Sequence, residues 1–359
     1  MTSITSVRAG APADAGGEPA LGGLFTSAEW LSAWERATVE RVSARRYLHV
    51  DAAGSAPVTL PFSLIEASPL WRAYEQEAQV APVWDRAVVF LPSLYAFYGP
   101  ASGTAVRAVA DALATIEAQA RDWDAQAVVI ANLPGPLARV LSARRPPAAR
   151  VRLDTSYRIE LPDRPEAYFA SLKRDHRADL RRRRRRAGER GVVFSEVRGA
   201  EARARVPEFL GLADASAGKH GTESIYDAAT LRAMLDVPGA RLLLAERGGE
   251  ILAGFLAFVH GSCLTLWSGG IRYEALREFS PCVFLLYETI ALAYERGWDV
   301  LDFGRGNGAF KARHGGRPIA LWSLFYLPDA GDPAIARLAA LHERLGAAGA
   351  ATGCGGGHA

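Results

Sequence analysis

Cysteine is scarce, with three in 359 residues: Cys263, Cys282 and Cys354. Their spacing builds neither a disulfide framework nor a metal-ligand set, which suits a reducing compartment. Cys263 and Cys282 read as buried structural thiols. No HExxH, GxSxG or Walker loop occurs and no His/Cys cluster stands out, so no metal is expected. No apolar run approaches the roughly 20 residues that cross a bilayer. The opening stretch, residues 1–23, is polar and rich in Gly, Ala and Pro, with no apolar core of a signal peptide. It reads as a flexible arm, and a cytoplasmic location is the expectation.

Hydrophobic residues make up 49% of the chain and charged residues 23%, a globular composition long enough for two domains. The net charge of +3 is unevenly spread. Ten Lys/Arg and three acidic residues lie between Lys173 and Arg190, a local +7 that leaves −4 for the rest. A polyanion would meet the chain there, through Arg174, Arg177, Arg181 and Arg184, unless the run is only a solvated helix face.

Periodicity predicts a helix from Ser27 to about Arg41, strands at 45–51 and 56–67, and an aromatic-rich irregular stretch through Trp71, Tyr74 and Trp84. A strand at 87–93, a helix at 103–122, a strand at 125–133, a short helix and a strand at 151–161 follow. The second half opens with one helix from Pro165 to about Arg190, then a strand at 192–197 and helices near 201–218 and 227–236. Strands at 240–247, 250–260 and 262–270 precede a helix at 281–296, a strand at 299–303, a strand at 319–327 and a helix near 332–346. Strands alternating with helices exclude an all-α or all-β fold. The element order repeats between the halves, so an α/β (α+β mixed-sheet) unit in tandem is expected, with lobes at 24–162 and 163–328 and a C-terminal helix and Gly-rich tail at 329–359.

Several stretches together resemble the GNAT acyltransferases, in the branch of Fem-type aminoacyltransferases and exopolysaccharide-cluster acetyltransferases. They are the basic helix SLKRDHRADLRRRRRRAGERG (171–191), GGEILAGFLAFVHGS (248–262), WSGGIRYEALREFSPCVFLLYETIALAYERG (267–297) and LDFGRGNGAFKARHGG (301–316). The opening FTSAEWLSAW (25–34) is also similar to the start of such proteins. The resemblance implies a mixed sheet splayed open at its centre and direct transfer of an acyl group to an amine. The donor would lie in the splay, its carbonyl polarised by a backbone N–H and its phosphates near the following helix N-terminus.

On that pattern the donor-binding residues are Trp267, Ser268, Gly269, Gly270, Arg272, Arg277 and Ser280, with Asp302 and Gly306 on the second strand. The loop after Gly270 lacks the Arg/Gln-x-x-Gly-x-Gly/Ala run that wraps the coenzyme A pyrophosphate in standard members. Acyl-coenzyme A is the default donor of the superfamily. Fem-like relatives without that loop use aminoacyl-tRNA, and the basic helix fits that alternative. Arg305 suits bidentate carboxylate binding and Lys311 a phosphate or oxyanion, while Asp302 and Arg305 would equally serve as an ion pair holding the turn. His220 and Tyr226, in GKHGTESIY, would border the acceptor entrance or merely connect helices. Tyr95 and Tyr98, in LYAFYGP, suit a cleft wall between the lobes or plain packing. A non-catalytic binding module is the remaining alternative, and it would have its second-lobe cleft filled by side chains.

Overall fold

The computed structural model describes residues 3–8, 23–51, 57–219, 225–277 and 279–354. The chain divides into two compact units: residues 1–155 with 319–359, and residues 156–318. Unit 1 begins with β1 (Ser3–Arg8), α1 (Gly23–Thr26), α2 (Ala28–Glu35), β2 (Arg41–Asp51) and β3 (Val58–Ala67). It continues through α3 (Pro69–Glu77), β4 (Val88–Leu91), α4 (Gly103–Asp122), β5 (Val128–Pro134) and α5 (Gly135–Arg144). Strand β6 (Ala149–Glu160) starts in unit 1 and ends in unit 2.

Unit 2 runs through α6 (Pro165–Ser171), α7 (Arg174–Glu189), β7 (Val193–Val197), α8 (Gly199–Ala204), α9 (Val206–Lys219) and α10 (Ala228–Met234). Then come β8 (Ala240–Arg247), β9 (Glu250–His260), β10 (Cys263–Ile271), α11 (Pro281–Glu295), β11 (Val300–Arg305) and α12 (Gly308–Arg313). Strand β12 (Arg317–Tyr326) returns the chain to unit 1, which closes with α13 (Ala334–Cys354).

Unit 1 is built on strands in the order β1-β2-β3-β4-β5-β12. Neighbours are antiparallel except β4 and β5, whose parallel pairing is joined by the crossover helix α4. Ser102 caps α4 by accepting from Ala105 N at 3.0 Å, and Val106, Val109, Leu113 and Ile116 form its buried stripe. Unit 2 repeats the plan with β7-β8-β9-β10-β11 and the end of β6. Its one parallel pair among the described residues, β10 and β11, is joined by α11. Pro281 opens α11, and Phe284, Leu285, Leu286 and Ile290 sink into the core that β8, β9 and β10 share. Tandem α/β units of the same design are thus present.

Some elements differ from the sequence-based expectation. Residues 3–8, expected within a flexible arm, form β1, which pairs antiparallel with β2 from Ser3↔Asp51 to Arg8↔Tyr47. The irregular stretch at 71–84 contains helix α3, where Ser68 caps Trp71 N and Trp71 Nε1 bonds Glu75 Oε1 at 2.6 Å. The helix expected over 165–190 is two helices. Leu172 and Lys173 take extended backbone angles, which lets Tyr168 and Leu172 both enter the core, and no Gly or Pro marks that break. The unit boundaries fall at 155/156 and 318/319 rather than at 162/163 and 328/329. The reason is the antiparallel pairing of β12 with β5, from Leu321↔Pro134 to Tyr326↔Val128.

Candidate functional site

The parallel pair β10–β11 is short. It runs over Cys263↔Val300, Leu264↔Leu301 and Thr265↔Asp302, although β10 continues to Ile271 and β11 to Arg305. Each strand slips register with its outer neighbour just where pairing stops. β10 slips against β9 between Leu266 and Ser268, and β11 slips against β6 between Asp302 and Gly304. An extra residue on one strand bends it and sharpens its twist. Trp267 and Phe303 therefore bulge within one residue of the same level, and the pairing of the two strands ends just before it. The result is a wedge in the middle of the unit 2 sheet.

The wedge is lined by groups from several elements. The Tyr226 hydroxyl, just before α10, donates to Trp267 O at 3.4 Å, and the two rings meet edge-on at 5.0 Å. Burial pushes the Tyr226 phenol up, and the positive charge of Arg305 and the Ser268 hydroxyl beside it pull the other way. Ser268 is itself buried. Asp227 then caps α10 by accepting from Thr230 N at 2.6 Å, which anchors the Tyr226 segment. Tyr226, Trp267, Ser268 and Arg305 are thus neighbours.

Asp302, fully buried, accepts from Gly304 N at 2.9 Å and from Ser156 Oγ at 3.3 Å. Those bonds fix the turn that leads into Arg305. Gly304 and Gly306 hold positive φ of 63° and 76°, and Asn307 at 44° follows them. Lys311 on α12 folds back over this loop and donates through Nζ to Arg305 O at 2.5 Å. Its charge also reaches Cys282 in the first turn of α11, where burial raises the thiol to about 11 and Lys311 opposes the rise. Gly308 passes so close to Tyr157 that a Cβ there would overlap the phenol. Tyr157 and Cys282 thus border the loop without having been expected from the sequence. Only the register Gly304↔Tyr157 on β6 brings the tyrosine there, and no motif announces it.

The structure also places the other expected residues. Gly269 and Gly270 are required by close approach, since a Cβ on Gly269 would stand 2.8 Å from the Phe255 ring. One on Gly270 would stand 2.6 Å from the Leu212 backbone on α9. Arg272 is paired with Glu250 at 3.0 Å, at the end of β10. Ser280 occupies the N-cap of α11 without a side-chain cap bond and is buried. Burial and the nearby Asp302 charge push the Cys263 thiol up to about 11, so it stays protonated. His220 and the side chain of Arg277 lie outside the described residues.

On α7, Arg184 is committed to Glu288 at 2.5 Å and lies 4.8 Å over the Tyr287 ring. Arg177 donates to Phe169 O at 3.2 Å. Arg182 and Arg183 share Asp179. Arg174 and Arg181 are exposed and form no ion pair among the described residues.

Unit 1 has the matching parallel pair, over Val89↔Val128, Phe90↔Val129 and Leu91↔Ile130, but there the space beyond is filled. Asn132, at φ 56°, donates through Nδ2 to Leu94 O at 3.1 Å and Ala96 O at 2.6 Å, and Gly99 N donates to Asn132 O at 3.0 Å. Leu94 to Tyr98 are fully buried. Tyr95 and Tyr98 belong to this plug, packed 5.2 Å from Trp34 and 6.3 Å from Phe25 between ring centroids.

Residues 174–312 match the acetyltransferase (GNAT) domain family model. The fold of nearly the whole chain is similar to FemX, at 14% identity and a TM-score of 0.58 over 85% of this chain and 92% of that one. It is also similar to the C-terminal domain of a putative lysylphosphatidylglycerol synthetase from Agrobacterium fabrum, at 12% identity, TM-score 0.53, and 88% and 90% coverage. L-PGS from Bacillus licheniformis follows at 12%, 0.52, and 83% and 89%. No curated protein matches the sequence. The match to the GNAT domain thus falls within unit 2, and the chain shares with FemX a two-unit fold.

Proposed function

We propose that unit 2 forms an amide by direct attack of an amine on an acyl donor seated between β10 and β11. The observation that carries this reading is the paired bulge at Trp267 and Phe303, where polar groups line the parted strands. A main-chain N–H at the Trp267 bulge polarises the acyl carbonyl. The amine nitrogen bonds to the carbonyl carbon, its surplus proton passes to water, and the bond to the leaving group breaks. Tyr226, kept protonated by burial, gives its proton to the departing sulfur or oxygen and regains one from the water that took the amine's proton. Arg305 holds negative charge on the donor or acceptor. Lys311, beside Cys282 in the first turn of α11, adds positive charge at the helix end where donor phosphates would lie. An acyl-coenzyme A donor fits that corner.

The second reading is an aminoacyl-tRNA donor. It is favoured by the basic helix α7, whose Arg174 and Arg181 stay exposed, and by the missing pyrophosphate-wrapping run. A purified-protein donor screen separates the two, offering coenzyme A thioesters and charged tRNA with and without ribonuclease. Ribonuclease-insensitive transfer from a thioester supports the first and contradicts the second. Transfer abolished by ribonuclease does the reverse.

A further inference from the structure

Three guanidinium groups converge on a single carboxylate at the C-terminal end of α11. Glu196 on β7 accepts from Arg241 Nη1 at 2.6 Å, from Arg198 Nε at 3.1 Å and from Arg296 Nη2 at 3.3 Å. Arg198 follows β7, Arg241 is the second residue of β8, and Arg296 is the C-cap of α11. None of the three pairs with any other acidic side chain among the described residues. The cluster therefore carries a surplus of two positive charges. The dipole at the end of α11 offsets only about half a charge of it.

The cluster has a buried centre and an open rim. The Arg241 side chain is 4% exposed, held by a bond from Nε to Gly239 O at 3.0 Å and by the Trp298 ring 5.1 Å away. Glu196 matches the buried Arg241, and the two surplus charges lie on Arg198 and Arg296 at the exposed rim. Burial, Arg198 and Arg296 all push the Arg241 guanidinium down, and Glu196 alone supports it. A guanidinium has five N–H donors. Arg241 spends two on Gly239 and Glu196, while Arg198 and Arg296 stand half-exposed on either side with donors to spare.

We propose that this cluster binds a phosphate dianion, either the free ion or a phosphate monoester. Its charge matches the surplus of two, and its oxygens suit convergent guanidinium forks. The site is separate from the acyl-transfer wedge. It lies at the opposite end of α11 from Pro281, about 22 Å along a 15-residue helix. It does not depend on which acyl donor the enzyme uses.

The test is titration calorimetry on the full chain at pH 7.5 with inorganic phosphate and with AMP, against sodium chloride of matched ionic strength. Saturable binding of one phosphate per chain is expected. It should weaken at least about tenfold in Arg198→Ala and Arg296→Ala and tighten in Glu196→Gln. Arg296→Lys keeps the charge without the fork and should fall between, with melting curves confirming that each variant is folded. Equal affinity for the two probes identifies the free ion as the ligand, and tenfold tighter AMP identifies a monoester. Absence of saturable binding would overturn the proposal, as would phosphate binding unchanged in both alanine variants or weakened in Glu196→Gln.

Discussion

The Tyr226 hydroxyl reaches the Trp267 carbonyl at 3.4 Å, on the residue where β10 leaves its register with β9. This contact ties the segment before α10 to the bulge that opens the sheet. It sets a phenol kept protonated by burial beside the position assigned to the acyl carbonyl.

Tyr226→Phe keeps the ring contact and removes the proton. Turnover should fall on the order of 10²-fold, in line with the loss of general-acid assistance, while the melting temperature stays within a few degrees. Steady-state kinetics beside a thermal melt checks this. An unchanged kcat would remove Tyr226 from the chemistry.

Arg305→Ala should abolish turnover with the melting temperature near wild type. The turn is held by Asp302 through Gly304 and Ser156, and Lys311 bonds the Arg305 main chain. A collapse in stability would show that Arg305 is scaffold. Asp302→Asn should instead act chiefly on stability.

How much of this was legible in the sequence depended on how local each signal was. The α4 helix was legible as a helix at 103–122, and β8 and β9 as strands at 240–247 and 250–260. Tyr226, Trp267 and Arg305 were expected as site residues from resemblance, and the fold makes them neighbours. The return of β12 to unit 1, the plug at residues 94–98 and the sharing of Glu196 by three arginines were not legible. Each is a pairing between residues far apart in the chain, with no periodic trace. Even the arginine run misleads when read alone, because Glu288 on α11 takes Arg184 out of it.

Two buried groups give the units opposite pH responses. His314 in unit 2 is buried and depressed from 6.5 to about 4. Below about 6.5 the unfolded chain takes up a proton that the folded unit refuses, so stability is lost as pH falls from 6.5 to 4. Glu40 in unit 1 is raised from 4.5 to about 7 by burial. There the folded unit keeps a proton that the unfolded chain gives up, so stability is lost as pH rises from 4.5 to 7. Each effect should be on the order of 2–3 kcal/mol across its window. Melts of His314→Gln and Glu40→Gln at pH 5 and 7.5 should each flatten one of the two slopes.

Glycines separate by what surrounds them. Gly270→Ala would drive a Cβ into the Leu212 backbone and should cost about 1–3 kcal/mol, with lost activity as α9 shifts on β10. Gly188→Ala on α7 meets open space and should stabilise by about 0.5–1 kcal/mol. Chemical denaturation distinguishes the two signs.

The central claim is that the acyl donor lies between β10 and β11 of unit 2. Photo-crosslinking with donors carrying a photoreactive acyl chain, one on coenzyme A and one on charged tRNA, tests it directly when the peptides are mapped by mass spectrometry. With the donor that supports turnover, label should appear at residues 266–268 and 303–305, and Arg305→Ala should reduce it. Label confined to unit 1, or spread over both units without loss in Arg305→Ala, would contradict the account.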